Sequence, residues 1–365
     1  ERFSFYGMRY LLLLYLTKYH LFTDAAGLGV LGSYAAMVYA MPVIGGLLAD
    51  RYLGSRKAVV FGGLLLVLGH LGMAVEGEQA RLVGDQIVMG VGFLKPNIST
   101  MVGQLYAVDD PRRDSGFTIF YMGINLGSFT ATLLCGYLGE TYGWSYGFGA
   151  AGLGMLLGLA TFLYGQRYFR GLAEPPENSR LATPVVAGIN REWSIYLGSL
   201  AGVLVLWQLL QVHALVGLAL NIMGVVALIG VLWFLFTQCE KVERDRMFVL
   251  VILTVSTVVF WALFEQSAAS MTLFADRVMD REVFGITPTA SQYGSLNAMF
   301  IFLLAPLFAG LWTQLGKRRL EPNTPIKFSV GIAFAGRGFL ALVQGARFTD
   351  EQGLVSGYWM ILAYL

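Results

Sequence analysis

The chain has 365 residues, of which 56% are apolar and 13% charged, with a mean hydropathy of +0.63 and a formal charge of +2. Soluble domains carry about 25% charged residues, so roughly half the charge of an aqueous surface is missing and the composition is that of a membrane protein. The near-neutral balance leaves no polyelectrolyte signal for nucleic acid, and the two distant cysteines, Cys135 and Cys239, supply neither a disulfide framework nor metal-ligand spacing.

A helix that crosses a bilayer needs about 20 mostly apolar residues. Such runs lie near 1–20, 27–49, 57–76, 82–107, 115–138, 145–168, 192–211, 213–236, 247–274, 290–315 and 326–346, and a twelfth begins near 354. Glu1 is not an initiating methionine and Leu365 falls inside an apolar run, so both termini are expected to be internal to a longer chain. The first span starts at once, with no cleavable signal segment expected.

The polar linker 171–190, with Pro175, Pro176 and Pro184, closes a six-span bundle over 1–170. The next two spans, around Leu197 to Val212 and Leu215 to Phe236, hold no Lys, Arg, Asp or Glu in their interiors, and 191–237 reads as a lipid-facing hairpin inserted before a second, truncated bundle over 238–365. Short cytoplasmic loops accumulate Lys and Arg. An inside amino terminus puts sixteen cations in the cytoplasm, among them Arg51, Arg56, Lys57, Arg112, Arg113, Arg167, Arg170, Arg180 and Arg191. Only five, Lys18, Arg81, Arg277, Arg281 and Arg347, then face the other side, which fixes the topology.

An ionisable side chain at membrane depth costs about 2.5 to 3.5 kcal/mol on insertion scales. The residues in question are Glu1, Arg2 and Arg9 on the first span, Lys95 on the fourth, Glu265 on the ninth and Arg337 on the eleventh. Arg2 and Arg9 are seven positions apart, two helical turns to within about 20°, so both project from one face. Two acids against four bases leave a deficit: either an acid lies outside this sequence or the substrate supplies one, and a substrate carboxylate would fit. Lys95 precedes Pro96, which removes a helical hydrogen bond, and Gly90 and Gly92 admit a neighbouring helix. A charge beside an interrupted membrane helix is a typical place for a substrate or ion site. Taken singly, each charge has the plainer reading of a buried ion pair between helices; taken together they read as a site. Arg337 either pairs with a carboxylate elsewhere or snorkels to an interface. His70 and His213 read as helix-facing polar contacts, and His20 lies in an external loop. No histidine has partners at metal-ligand spacing, so no metal site is expected. Phosphate-loop, Gly-x-Ser-x-Gly and HExxH signatures are absent, so neither ATP drive nor enzymatic chemistry is expected.

The opening Glu1-Arg2-Phe3-Ser4-Phe5-Tyr6-Gly7 resembles the later part of the ExxERFxYYG signature of the proton-dependent oligopeptide transporter (POT) family, within the major facilitator superfamily. The resemblance continues through the loop Gly46-Leu47-Leu48-Ala49-Asp50-Arg51-Tyr52-Leu53-Gly54-Ser55-Arg56-Lys57, the segments Phe93 to Thr100 and Phe120 to Ser128, Phe260 to Gln266, and Ser295-Leu296-Asn297 with Pro306. Two departures stand out: the first Glu of ExxER would precede Glu1, and the signature's first Tyr is Phe5. The chain also stops before the family's tenth-helix Glu, so the site for the peptide amino group is unassigned.

The resemblance implies an all-α fold of two six-helix bundles plus an inserted two-helix hairpin. It implies proton-coupled symport of di- and tripeptides by a multi-pass monomer of the bacterial inner membrane, amino terminus in the cytoplasm, with the proton as coupling ion and no cofactor. Glu1, Arg2, Lys95 and Glu265 would couple the proton. Arg9 and Glu265, with Trp261 one turn away, would form the external gate. Arg9, Tyr6, Tyr39, Lys95, Asn125 and Asn297 would meet the peptide, each Tyr and Asn reading equally as an interhelical hydrogen-bonding group. Asp50, Arg51, Arg56 and Lys57 would set the conformational equilibrium at the cytoplasmic face. The competing readings are a nitrate or drug carrier on the same fold and a peptide-binding receptor without transport.

Overall fold

A computed structural model describes residues 1–75, 79–107, 109–169, 171–186 and 188–365; Arg170 and the side chains of Arg81 and His213, named above, lie outside the described set. Thirteen α-helices follow one another among the described residues. α1 (Arg2–Leu14) runs into a π turn at Tyr15–Tyr19, and α2 (Asp24–Leu48) starts at Thr23, whose Oγ1 accepts the Ala26 N–H at 3.3 Å. A second π turn, Ala49–Leu53, leads to α3 (Gly54–Met73), then α4 (Gln79–Gln104), α5 (Arg113–Thr141) and α6 (Trp144–Gly165). The linker carries a 3-10 turn, Glu177–Ser179, and a small antiparallel ladder of Pro184–Val186 with Ile189–Asn190.

α7 (Arg191–Gln211) begins at Asn190, whose Oδ1 accepts the Trp193 N–H at 2.9 Å, and α8 (His213–Gln238) follows it closely. α9 (Lys241–Phe264) gives way to a 3-10 turn at Glu265–Ala268, and α10 (Ser270–Arg277) resumes beyond it. After α11 (Ser295–Lys317) and α12 (Thr324–Gly345), Val355–Ser356 pairs in parallel with Met279–Asp280, and α13 (Tyr358–Tyr364) ends the chain. Eight helical runs among the described residues are long and apolar enough to cross a membrane, the longest of them, Asp24–Met73, holding α2 and α3 in succession.

Two details differ from the sequence expectation. The span expected over 247–274 is not continuous, because its helix breaks at Glu265. α4 continues as a helix straight through Pro96.

The chain forms two compact units, Glu1–His213 and Ala214–Leu365. α7 packs on α4 and α2 within the first unit, and α8 lies almost wholly in the second. In the first unit, Met8, Leu11, Leu13, Leu14, Leu66 and Phe148 are completely buried. Lipid tails are as apolar as leucine, so helix association depends on close packing of small residues. The α2–α4–α3 stack shows this plainly. A Cβ at Gly45 would lie 2.2 Å from the Gly92 carbonyl oxygen, and one at Gly62 would lie 2.6 Å from that of Gly90. Pro96 has no N–H to offer the Gly92 carbonyl, so α2 approaches α4 at the very turn where the helical ladder lacks a bond.

Because the obstacle is backbone, Gly45→Ala has no flexible side chain to displace. Overpacking of this kind costs about 1 to 3 kcal/mol. The variant is expected to unfold at a lower temperature than the parent in detergent, as read by thermal denaturation of the full-length protein.

Candidate functional site

In the first unit, α1 opens on a charge pair. Arg2 Nε stands 3.1 Å from Glu1 Oε2, with side chains 20% and 9% exposed, so two ions are held at the start of an apolar helix. Arg2 also packs on α5, where its Cβ would be 3.5 Å from a Cβ at Gly127. Two turns further along α1, Arg9 is buried at 6% exposure. Tyr6 lies between them, edge-on to Phe5 with ring centroids 5.5 Å apart.

The glycine contacts that bring α2 onto α4 place Tyr39 beside Lys95. Lys95 Nζ sits 4.0 Å from the Tyr39 ring centroid, over its face. Tyr39 is 50% exposed, and a cation–π contact at an exposed site is worth about 0.5 to 1 kcal/mol. The ring face helps to hold the ammonium in place beside α2. Asn97, buried one turn from Phe93, donates from Nδ2 to the Phe93 carbonyl at 2.7 Å and braces the turn around Lys95. Asn125 on α5 is also buried, and its Nδ2 donates to the Tyr121 carbonyl at 3.0 Å. Its side-chain oxygen is the group left to meet another molecule.

In the second unit, Trp261 and Glu265 lie on either side of a helix end. Trp261 is on the last turn of α9, packed edge-on against Phe264 at 5.3 Å and against Phe260 at 5.7 Å. Glu265 is the first residue of the 3-10 turn. The break is stitched by side chains: Gln266 Nε2 donates to the Ala262 carbonyl at 3.1 Å, Ser270 Oγ donates to Gln266 Oε1 at 2.7 Å, and Thr272 Oγ1 donates to the Ser267 carbonyl at 2.9 Å. Interrupted membrane helices are where transporters place ions and substrates. Asn297 on α11 and Arg337 on α12 line one cavity of about 650 Å³ with Phe260, Phe264 and Met271. Arg337 is also 5.7 Å from the Phe334 ring.

The loop residues have an arrangement of their own. Asp50 and Arg51 lie in the π turn Ala49–Leu53, and Gly54 leaves it at φ +71°, a conformation that favours glycine. Arg56 Nη1 reaches Glu174 Oε1 at 2.6 Å, and Lys57 Nζ is 2.7 Å from both oxygens of Glu192. Neither acid stands out in the sequence, since Glu192 is 135 positions from Lys57 and no periodicity links them. The structure thus brings Glu1 to Arg2, Lys95 to Tyr39 and Asn297 to Arg337, while Arg9 stands in the first unit and Glu265 in the second.

A profile of the POT family matches residues 56–365. The chain belongs to the POT family. Its POT relatives include the uncharacterized transporter YclF of Bacillus subtilis, 37% identical, with all of this chain covering 75% of that protein. The Lactococcus lactis di-/tripeptide transporter is 36% identical, with all of this chain covering 76% of it. Among solved structures, a mutant of the peptide transporter POT in complex with alafosfalin superposes with a TM-score of 0.84 at 35% identity, over all of this chain and 75% of that one. The fold is that of the POT transporters, and the chain is a multi-pass membrane protein of that family. The opening Glu1-Arg2-Phe3 motif lies outside the profile match, whereas the match to YclF covers it.

Proposed function

We propose that this POT chain carries di- and tripeptides across the bacterial inner membrane by alternating access, driven by protons, with its amino terminus in the cytoplasm. The observation that carries the reading is an apolar helix opening on a partly buried ion pair, Glu1 with Arg2, in a chain whose relatives include di-/tripeptide transporters. Charges at membrane depth are costly, and where they occur they mark substrate or ion sites.

In this reading Lys95 and Arg9 supply the positive charge that attracts a peptide carboxylate. Tyr6, Tyr39, Asn125 and Asn297 offer phenol and amide groups that donate or accept without reading side chains, which suits a cargo of varied sequence. Glu265 carries the proton. Ionised, it attracts Arg9 and closes the external gate, with Trp261 shielding the pair; protonated, it releases Arg9 to the peptide. Gate, proton and cargo compete for one cation. The chain works as a monomer with no cofactor other than the proton.

The test is uptake of labelled dialanine into proteoliposomes of the full-length protein, with and without an inward proton gradient. Accumulation above equilibrium only with the gradient is the expected result. Failure to move any small peptide across a range of pH would sink the reading, and competition by nitrate but not by peptides would replace it with an anion carrier.

A further inference from the structure

The linker and the start of α7 are fastened to the α2–α3 turn at several points. Arg56 is held twice, by its guanidinium to Glu174 at 2.6 Å and by its backbone N–H to the Ala173 carbonyl at 3.0 Å. Lys57 is held by both oxygens of Glu192, and Tyr196 Oη donates to the same carboxylate at 3.0 Å. The guanidinium of Arg191 lies 5.5 Å from the Tyr52 ring and donates to the Ser179 carbonyl at 2.8 Å. Below these, the rings of Phe61 on α3 and Tyr196 on α7 meet at 4.6 Å.

The linker backbone comes so close to the turn that a Cβ at Gly54 would be 2.5 Å from the Glu174 carbonyl carbon and the Pro175 nitrogen. Gly54 is thus demanded twice, by its positive φ and by the chain passing over it. One partly exposed ion pair contributes little. Here the ion pairs, a backbone hydrogen bond, a cation–ring contact and a ring pair fall on two short stretches, Tyr52–Phe61 and Ala173–Tyr196, and act on the same turn.

We propose that Glu174 and Glu192 are positioning residues of the transport cycle: they strap the linker and α7 onto the turn that carries Asp50, Arg51, Arg56 and Lys57, so that turn, linker and α7 move as one body. The two acids set where the turn's cations stand, and they touch no cargo. This inference rests on the transport reading for its kinetic consequence and on the geometry alone for its structural one.

The experiment compares the full-length wild type with E174Q/E192Q, with the charge swap K57E/E192K, and with E177Q, which alters an exposed linker acid. Amide hydrogen exchange reads the strap whatever the cargo. Exchange over 171–192 and at Arg56 is expected to rise by about tenfold in E174Q/E192Q, within the range by which coupled contacts shift an equilibrium, and to return towards wild type in the swap. In proteoliposomes the same double variant is expected to lose about tenfold in maximal dialanine uptake with KM unchanged, whereas losing a contact that binds the cargo uniformly would raise KM. E177Q should match wild type in both. Wild-type exchange in E174Q/E192Q, or a swap that restores nothing, overturns the proposal. A wild type that takes up no peptide overturns the transport reading and leaves the exchange result to decide the strap.

Discussion

Glu265→Gln is expected to abolish concentrative uptake while leaving exchange of peptide across the membrane intact. One pH unit is equivalent to about 1.4 kcal/mol per proton, enough for roughly tenfold accumulation of a cargo coupled to one proton. Glutamine keeps the length and hydrogen-bonding shape of glutamate and never takes up the proton. The residue sits at the end of α9, where the helix passes into a 3-10 turn stitched by Gln266, Ser270 and Thr272. An amide fits that turn, so the variant should fold and cycle with cargo on both strokes. With a gradient of one unit, labelled dialanine should then level off at an internal-to-external ratio near 1, where wild type reaches about ten. A variant that still concentrates peptide would assign the proton to Glu1 and the Lys95 cluster.

The second large effect falls on Lys95. Removing a charged partner costs about 1.5 to 3 kcal/mol, so Lys95→Ala is expected to reduce dialanine transport by about ten- to a hundredfold, in exchange as well as in gradient-driven uptake. That pattern is the opposite of the one for Glu265→Gln, because one change removes an attraction for the cargo and the other removes only the coupling. The neighbour Tyr39 gives an internal control. Its ring face lies 4.0 Å from the ammonium, so Tyr39→Phe, which keeps the ring and loses the phenol, should fall between wild type and Tyr39→Ala, and Tyr39→Ala between that and Lys95→Ala. Transport by Tyr39→Phe as poor as by Tyr39→Ala would show that the phenol oxygen, not the ring, is what the cargo needs.

Much of the architecture was legible in the sequence because membrane helices announce themselves by length and apolarity. The expected spans from 115–138 to 213–236 fall within α5, α6, α7 and α8 with shifts of a few residues. The break after Phe264 was not legible, since Glu265-Gln266-Ser267-Ala268 holds neither Gly nor Pro and its turn is specified by side-chain hydrogen bonds that form only once the helix is folded. Pro96 errs in the other direction. It is the residue that local chemistry marks as a breaker, yet α4 runs through it with α2 seated against the turn it leaves open. Charge depth in the apolar runs pointed to Glu1, Arg2, Lys95 and Glu265. Spacing pointed to nothing about Glu174 and Glu192, whose partners lie more than a hundred positions away.

The glycine seams also bear on how motion in the first unit should be measured. Where Gly45 faces Gly92 and Gly62 faces Gly90, main chain comes directly against main chain. Contact of that kind is stiff, so α2, α3 and α4 near these residues act as a ruler. Spin labels on the exposed faces at Leu47 and Leu64 should report one sharp distance through every stage of the cycle, and changes measured from either label to a third site can be attributed to that site alone.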